Sequence, residues 1–201
     1  MNAIRRLVAE ARFKWISAKK GRFLASKKLM KAKPIRLTAS GLAGTVLYVG
    51  HLRPAPGTWG SLAALPLAWL IWQLGGVWLF LLAIPAAFAA GVWATRAYTA
   101  QGGDHDPSEI VIDEVVGQWI ALAPVIIGAH AAGQDILALY PGWIAAFLLF
   151  RLFDIWKPWL VGRADRRGDA MGVMLDDVWA GLFAAVITLG LAGLSHVVIA
   201  P

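Results

Sequence analysis

The sequence predicts an all-α, polytopic membrane helical bundle with a basic N-terminal extension, and three observations predict it. Of 201 residues, 59% are hydrophobic and 15% charged, more apolar than a water-soluble core requires. The apolar residues gather into runs separated by Gly, Pro and acid-rich segments. Positive charge is concentrated at one end, with twelve of the 19 Lys and Arg before Leu37. The chain has no Cys, which excludes a thiol nucleophile, disulfides and Cys-ligated zinc.

Residues 1–36 form the extension, with Glu10 as their one acid. Ile4, Leu7, Val8, Ala11 and Trp15 recur at helical spacing. The segment therefore reads as a basic amphipathic helix on anionic membrane lipids, or as a solvated tail. It lacks the apolar centre of a secretory signal, although its Arg- and Lys-rich start also resembles an organellar transit peptide. Nucleic acid is not an expected partner beside so hydrophobic a remainder.

Residues 37–201 form the expected membrane domain. Thr38 to Val49 is apolar and Gly-rich, and fits a buried or an interfacial segment equally. Leu62 to Leu74 is the first span; it ends at a Gly75-Gly76 turn and is short enough to be tilted or re-entrant. Val77 to Ala94, Val115 to Ala132, Trp143 to Phe153 and Val178 to Ala200 follow. With the extension on the cytoplasmic side, successive crossings return Arg96, Arg151, Lys157, Arg163, Arg166 and Arg167 to that side. The opposite connections carry no Lys or Arg, as the positive-inside rule requires. This topology gathers the acid-rich stretches at one membrane face.

Four stretches carry the polar chemistry. Pro54 to Ser61 reads as a turn-rich loop running into a helix, where Gly57, backbone amides and the Thr58 and Ser61 hydroxyls can hold phosphate oxygens; an ordinary turn and helix cap is the plainer alternative. In the second, Asp106-Pro107-Ser108-Glu109 has the form of a helix-capping box, leaving Asp106 as either cap or metal ligand. The adjacent acids Asp113 and Glu114, at the start of an apolar span, repel each other unless a cation compensates, which points to metal ligation. His105 reads as a surface histidine.

The third stretch runs from Phe150 to Trp159. Arg151, Asp154 and Lys157 fall every third residue, either as salt bridges at a membrane edge or as a ligand flanked by phosphate-binding cations. In the fourth, Asp176 and Asp177 either cap a helix starting there or form a second acidic doublet serving the same ion. Hard cations such as Mg²⁺ prefer the carboxylate oxygens that Asp113, Glu114, Asp154, Asp176 and Asp177 offer, and His partners for zinc are few.

Gly57-Thr58-Trp59-Gly60-Ser61, the run from Ile110 to Gly117, the run from Phe150 to Pro158 and the run from Gly172 to Gly181 together resemble the ordered motifs of the phosphatidylglycerophosphatase A family. The resemblance extends from Leu37 to the C-terminus and does not include the basic extension. It implies a Mg²⁺-dependent, all-helical phosphatase of the bacterial inner membrane, with its active site facing the cytoplasm and phosphatidylglycerophosphate as substrate. By position it puts the acidic motifs on Asp106, Asp113, Glu114, Asp154, Asp176 and Asp177, and the basic one on Lys157. The residue chemistry suits such a reaction: the carboxylates would hold one or two ions while Gly57, Thr58, Ser61, Arg151 and Lys157 receive phosphate. Attack by water and attack by an aspartate remain alternatives. A small cation transporter is the non-enzymatic reading, and acids at one face rather than at mid-span count against it.

Overall fold

The computed structural model describes residues 38–100 and 107–199, with side chains to residue 194. The basic extension, Asp104, His105 and Asp106 lie outside the described residues. Those described form helices and connections, with no strand among them. The all-α expectation holds. Among the described residues three helices are long and apolar enough to cross a membrane, and the chain is a membrane protein on that basis.

Thr38 to Val49, unassigned between buried and interfacial, is a short capped helix with a tight exit. Helix α1 (Ala39–Gly44) starts where the Thr38 hydroxyl accepts the Gly41 N–H at 3.1 Å. Val46, Leu47 and Tyr48 then take positive φ before a 3₁₀ turn at Val49–His51. The segment braces the turn that leads into the site, because Val111 N–H donates to Gly44 O at 2.8 Å.

Helix α2 (Pro56–Thr99) is two arms broken at Gly75-Gly76, and Gly76 has φ 64°, a conformation glycine tolerates and β-carbon residues resist. The arms fold back on each other. Trp119 donates its indole N–H to Ala64 O at 2.9 Å and also packs on Phe80, ring centroids 6.1 Å apart, whereas a straight helix would separate those two residues by about 24 Å. The expected first span begins too late: the helix starts at Pro56, with proline at its first position, and each arm has roughly twenty residues, enough to cross. Its polar start hid from hydropathy.

Helix α3 (Ile112–Ala131) is central, 72% buried along its most apolar window against 28% for α2. Helix α4 (Tyr140–Trp156) runs antiparallel to it and ends at Lys157, in the left-handed region at φ 50°, just before Pro158. Short α5 (Leu160–Asp165) leads into α6 (Ala170–Ile199). Here too the span starts earlier than expected, because the Asp169 carboxylate accepts the Gly172 N–H at 2.8 Å and caps the helix ahead of Asp176.

Helices α3 and α6 meet backbone to backbone. A Cβ on Gly181 would lie 2.4 Å from Gly117 O, and one on Gly117 would lie 2.7 Å from Asp177 O. That close approach sets Asp177 beside the acids that open α3. Leu74, Trp78, Leu82, Val186 and Leu189 stay exposed on the outside, an apolar surface suited to lipid.

Candidate active site

Four helix ends supply the polar residues. Glu114 comes from the first turn of α3, Asp154 from the last turns of α4 and Asp177 from the second turn of α6. One carboxylate oxygen from each lies within 4.8 Å of the others. All three are carboxyl groups from separate elements, brought to one point in a largely apolar bundle.

Arg151, one turn before Asp154, is the cation among them. Its Nη1 lies 3.0 Å from Asp154 Oδ2, pairs with Glu114 Oε2 and reaches Ser61 Oγ at 3.3 Å. Ser61 Oγ stands 2.9 Å from both Glu114 Oε2 and Gly57 O, with one proton to share between them. Gly57 clears the space for this arrangement, since a Cβ there would sit 2.0 Å from Glu114 Oε1. Thus Gly57 and Ser61, read from sequence as a phosphate loop, lie in the first turns of α2 and touch Glu114.

The two acidic doublets split in the same way. Asp113 Oδ1 accepts the Glu114 N–H at 2.9 Å, and Asp176 Oδ1 accepts the Asp177 N–H at 3.1 Å. In each pair the first acid binds backbone and the second joins the cluster. Asp113 still lines the cavity beside it. Asp176 turns to Lys157, whose Nζ lies 2.9 Å from Asp176 Oδ2 and also pairs with Asp165. The Lys157 pKa is raised: burial works against its charge, but hydrogen bonds to Asp165 and Asp176 outweigh it.

Two capping readings are corrected. Asp176 and Asp177 do not open α6, which Asp169 caps. Pro107 does not begin a helix; Pro107 O accepts the Ile110 N–H at 2.9 Å in a turn, and Glu109 pairs with Arg53 at 2.8 Å. The capping box fails because the chain must turn there to deliver Val111 to Gly44. Lys157 also leaves the strip it was expected to share with Arg151 and Asp154, because the helix has ended and its backbone is left-handed. Asp165 as its partner was not legible: the pair spans a proline-broken turn, outside any fixed helical spacing.

A cavity of ≈ 320 Å³ opens beside the cluster, lined by Pro56, Gly57, Thr58, Ser108, Asp113, Glu114, Arg151, Asp154, Lys157 and Asp177 among others. Helix α2 begins at its wall without a side-chain cap, and its first backbone bond is Trp59 N–H to Ala55 O, so the Gly57 and Thr58 amides have no intrahelical acceptor. Such a helix start favours anions. The cavity therefore joins a helix start that suits an anion to carboxylates that suit a cation, with Gly57 against Glu114 where the two meet.

Residues 42–192 match the family model described as Phosphatidylglycerophosphatase A. A Haemophilus influenzae protein named Phosphatidylglycerophosphatase A is 38% identical over 166 residues, 82% of this chain and 93% of that one. Its Escherichia coli namesake is 32% identical over 170 residues, 82% of this chain and 87% of its own. A Bacteroides thetaiotaomicron protein, provisionally named a phosphatidylinositol-3-phosphatase, is 36% identical over 156 residues, 73% of this chain and 89% of its own. No solved structure matches. The matched stretch contains every residue that lines the carboxylate cavity, and by that match this chain belongs to the phosphatidylglycerophosphatase A family of phosphatases.

Proposed function

We propose that the chain hydrolyses the terminal phosphate of phosphatidylglycerophosphate in a Mg²⁺-dependent reaction at the cytoplasmic face of the bacterial inner membrane. The observation that carries this reading is the cluster of Glu114, Asp154 and Asp177, three hard-oxygen donors within 4.8 Å of one another. Among the described residues Arg151 is the cation bonded to them, so three carboxyl groups share one bonded cation. A divalent ion fits that deficit, and the donor set suits Mg²⁺ better than softer metals. Asp106 is kept as a proposed further ligand from outside the described residues.

Glu114, Asp154 and Asp177 would hold the ion, with Asp113 and Asp176 completing the acidic shell. Mg²⁺, when bound, neutralises phosphoryl oxygens and helps align the nucleophile. Arg151, Lys157, the Thr58 hydroxyl and the Gly57 and Thr58 amides receive the remaining oxygens of the phosphomonoester. Ser61 orients Glu114. Asp113 is assigned the proton of an attacking water; if instead a carboxylate attacks phosphorus, hydroxylamine quenching during turnover traps an acyl phosphate.

The test is phosphate release by the purified protein from phosphatidylglycerophosphate, with Mg²⁺ or with EDTA. Release that needs Mg²⁺ and drops roughly hundredfold in folded Asp113→Asn and Asp177→Asn variants supports the assignment. Equal turnover in EDTA removes the metal. The Bacteroides relative makes phosphatidylinositol 3-phosphate the comparison substrate, and preference for it would move the headgroup assignment while leaving the phosphatase site intact.

A further inference from the structure

Gln118 lies in the middle of α3 with none of its surface exposed, and among the described residues neither its Nε2 nor its Oε1 meets a partner. A primary amide buried this way in an apolar bundle costs several times what a satisfied one does, by about 1–3 kcal/mol for each unmet group. The Nε of Arg151 is likewise buried and without a protein partner. These unmet groups belong to neighbouring positions.

Their proximity follows from helix register. A Cβ on Gly142 would meet Val125 at 3.0 Å, and one on Gly117 would meet the Phe150 ring at 2.4 Å, so eight residues forward along α4 match eight back along α3. Arg151 is therefore level with residue 116, midway between Glu114 and Gln118. Glu114, Gln118 and Val125, spaced i, i+4 and i+11, share one face of α3, and both Glu114 and the Val125 side chain meet α4. Arg151 Nη1 is taken by Glu114 and Asp154, which leaves its Nε as the buried guanidinium nitrogen still unmet, on a side chain level with the turn between Glu114 and Gln118.

We propose that Gln118 is a positioning residue for Arg151, acting through an ordered water that accepts from Arg151 Nε–H and donates to Gln118 Oε1. A water so placed has the polar partners that a buried site demands. With Nη1 fixed by Glu114 and Asp154, and Nε fixed from below, the guanidinium plane has one orientation. The carboxylates that share Arg151 are held with it. Gln118 touches no reacting atom.

The rate readout rests on the phosphatase reading above; the spectroscopic one does not. In arginine-labelled protein in nanodiscs, the Arg151 Nε–H resonance, identified by its loss in Arg151→Lys, is expected to exchange magnetisation with bound water in the unmodified chain. Absence of that transfer overturns the proposal without any variant. Gln118→Met keeps the volume and removes both polar ends. It is expected to fold at least as stably, shift the Arg151 Nε–H resonance and lower kcat by about tenfold with KM within about twofold. A merely misplaced core amide predicts the same stability with kcat and resonance unmoved, and either of those results sinks the role. An unmodified protein that releases no phosphate from any lipid tested, yet shows the water transfer, refutes the substrate reading and leaves the hydrogen-bonded unit standing.

Discussion

Arg151 and Asp177 should respond to substitution with opposite signs of stability, because they carry opposite charge in one buried cluster. Removing Arg151 leaves Glu114 and Asp154 without their bonded cation, so Arg151→Met is expected to cost about 3–5 kcal/mol in metal-free protein, read from unfolding in detergent with EDTA. Asp177→Asn removes one like group from the same point and is expected to raise the melting temperature under those conditions while lowering turnover roughly hundredfold. If both variants melt lower by the same amount, packing rather than charge governs the site. Lys157 is governed differently. Its folded pKa lies above the ordinary lysine value of about 10.4, so its contribution to stability is complete below that pH and is lost as pH rises through the folded pKa. The pH–rate profile is accordingly expected to show no alkaline limb from Lys157 below about pH 10, and Lys157→Arg to leave that range unchanged. An alkaline limb near pH 8 that vanishes in Lys157→Met would contradict the pairing with Asp165 and Asp176.

At the scale of elements, the site depends on the crossing of α3 and α6. Gly181→Ala drives a methyl to 2.4 Å from Gly117 O, so the helices must part, at roughly 1–3 kcal/mol. Parting them also withdraws Asp177, and phosphate release is expected to fall with stability. Gly190 is the control on the same helix: nothing lies within 4 Å of its added methyl, and Gly190→Ala is expected to be neutral or slightly stabilising through helix propensity. Comparable losses in both variants would mean that helix flexibility, not the crossing, sets activity. Helix starts matter as well. Because α2 begins at Pro56 and α6 at Ala170, the residues that read as loop or cap lie within the first two turns of helices, at fixed angles to their neighbours.

Across the whole molecule, an exposed apolar surface surrounds a polar cavity at one end of the bundle. We propose the basic extension as a separate electrostatic contact with anionic lipid: deleting residues 1–36 is expected to weaken adsorption to anionic vesicles, measured by sedimentation, and to retain turnover on detergent-solubilised substrate. Equal adsorption with and without the extension would remove the lipid contact. Much of this organisation is legible along the chain, since apolar runs of span length and the acids at their margins are local patterns. The margins themselves misled. Asp176 and Asp177 look like a helix start because charge interrupts hydropathy, yet α6 continues outward to a cap at Asp169, which only the fold could show by surrounding those acids with α3 and α4.

The linear order of residues alone determined the class of the protein, its family and the set of carboxylates available, because burial in lipid demands long apolar helices and makes clustered acids conspicuous. Tertiary packing decided how that set is divided. Glu114 and Asp177 meet Asp154, while Asp113 and Asp176 bond the following amides, because two glycines let α3 and α6 touch and fix which side of each helix faces the cavity. A helix turns about 100° per residue, so neighbours in sequence point to different partners, and only the angle at which the helices cross selects between them.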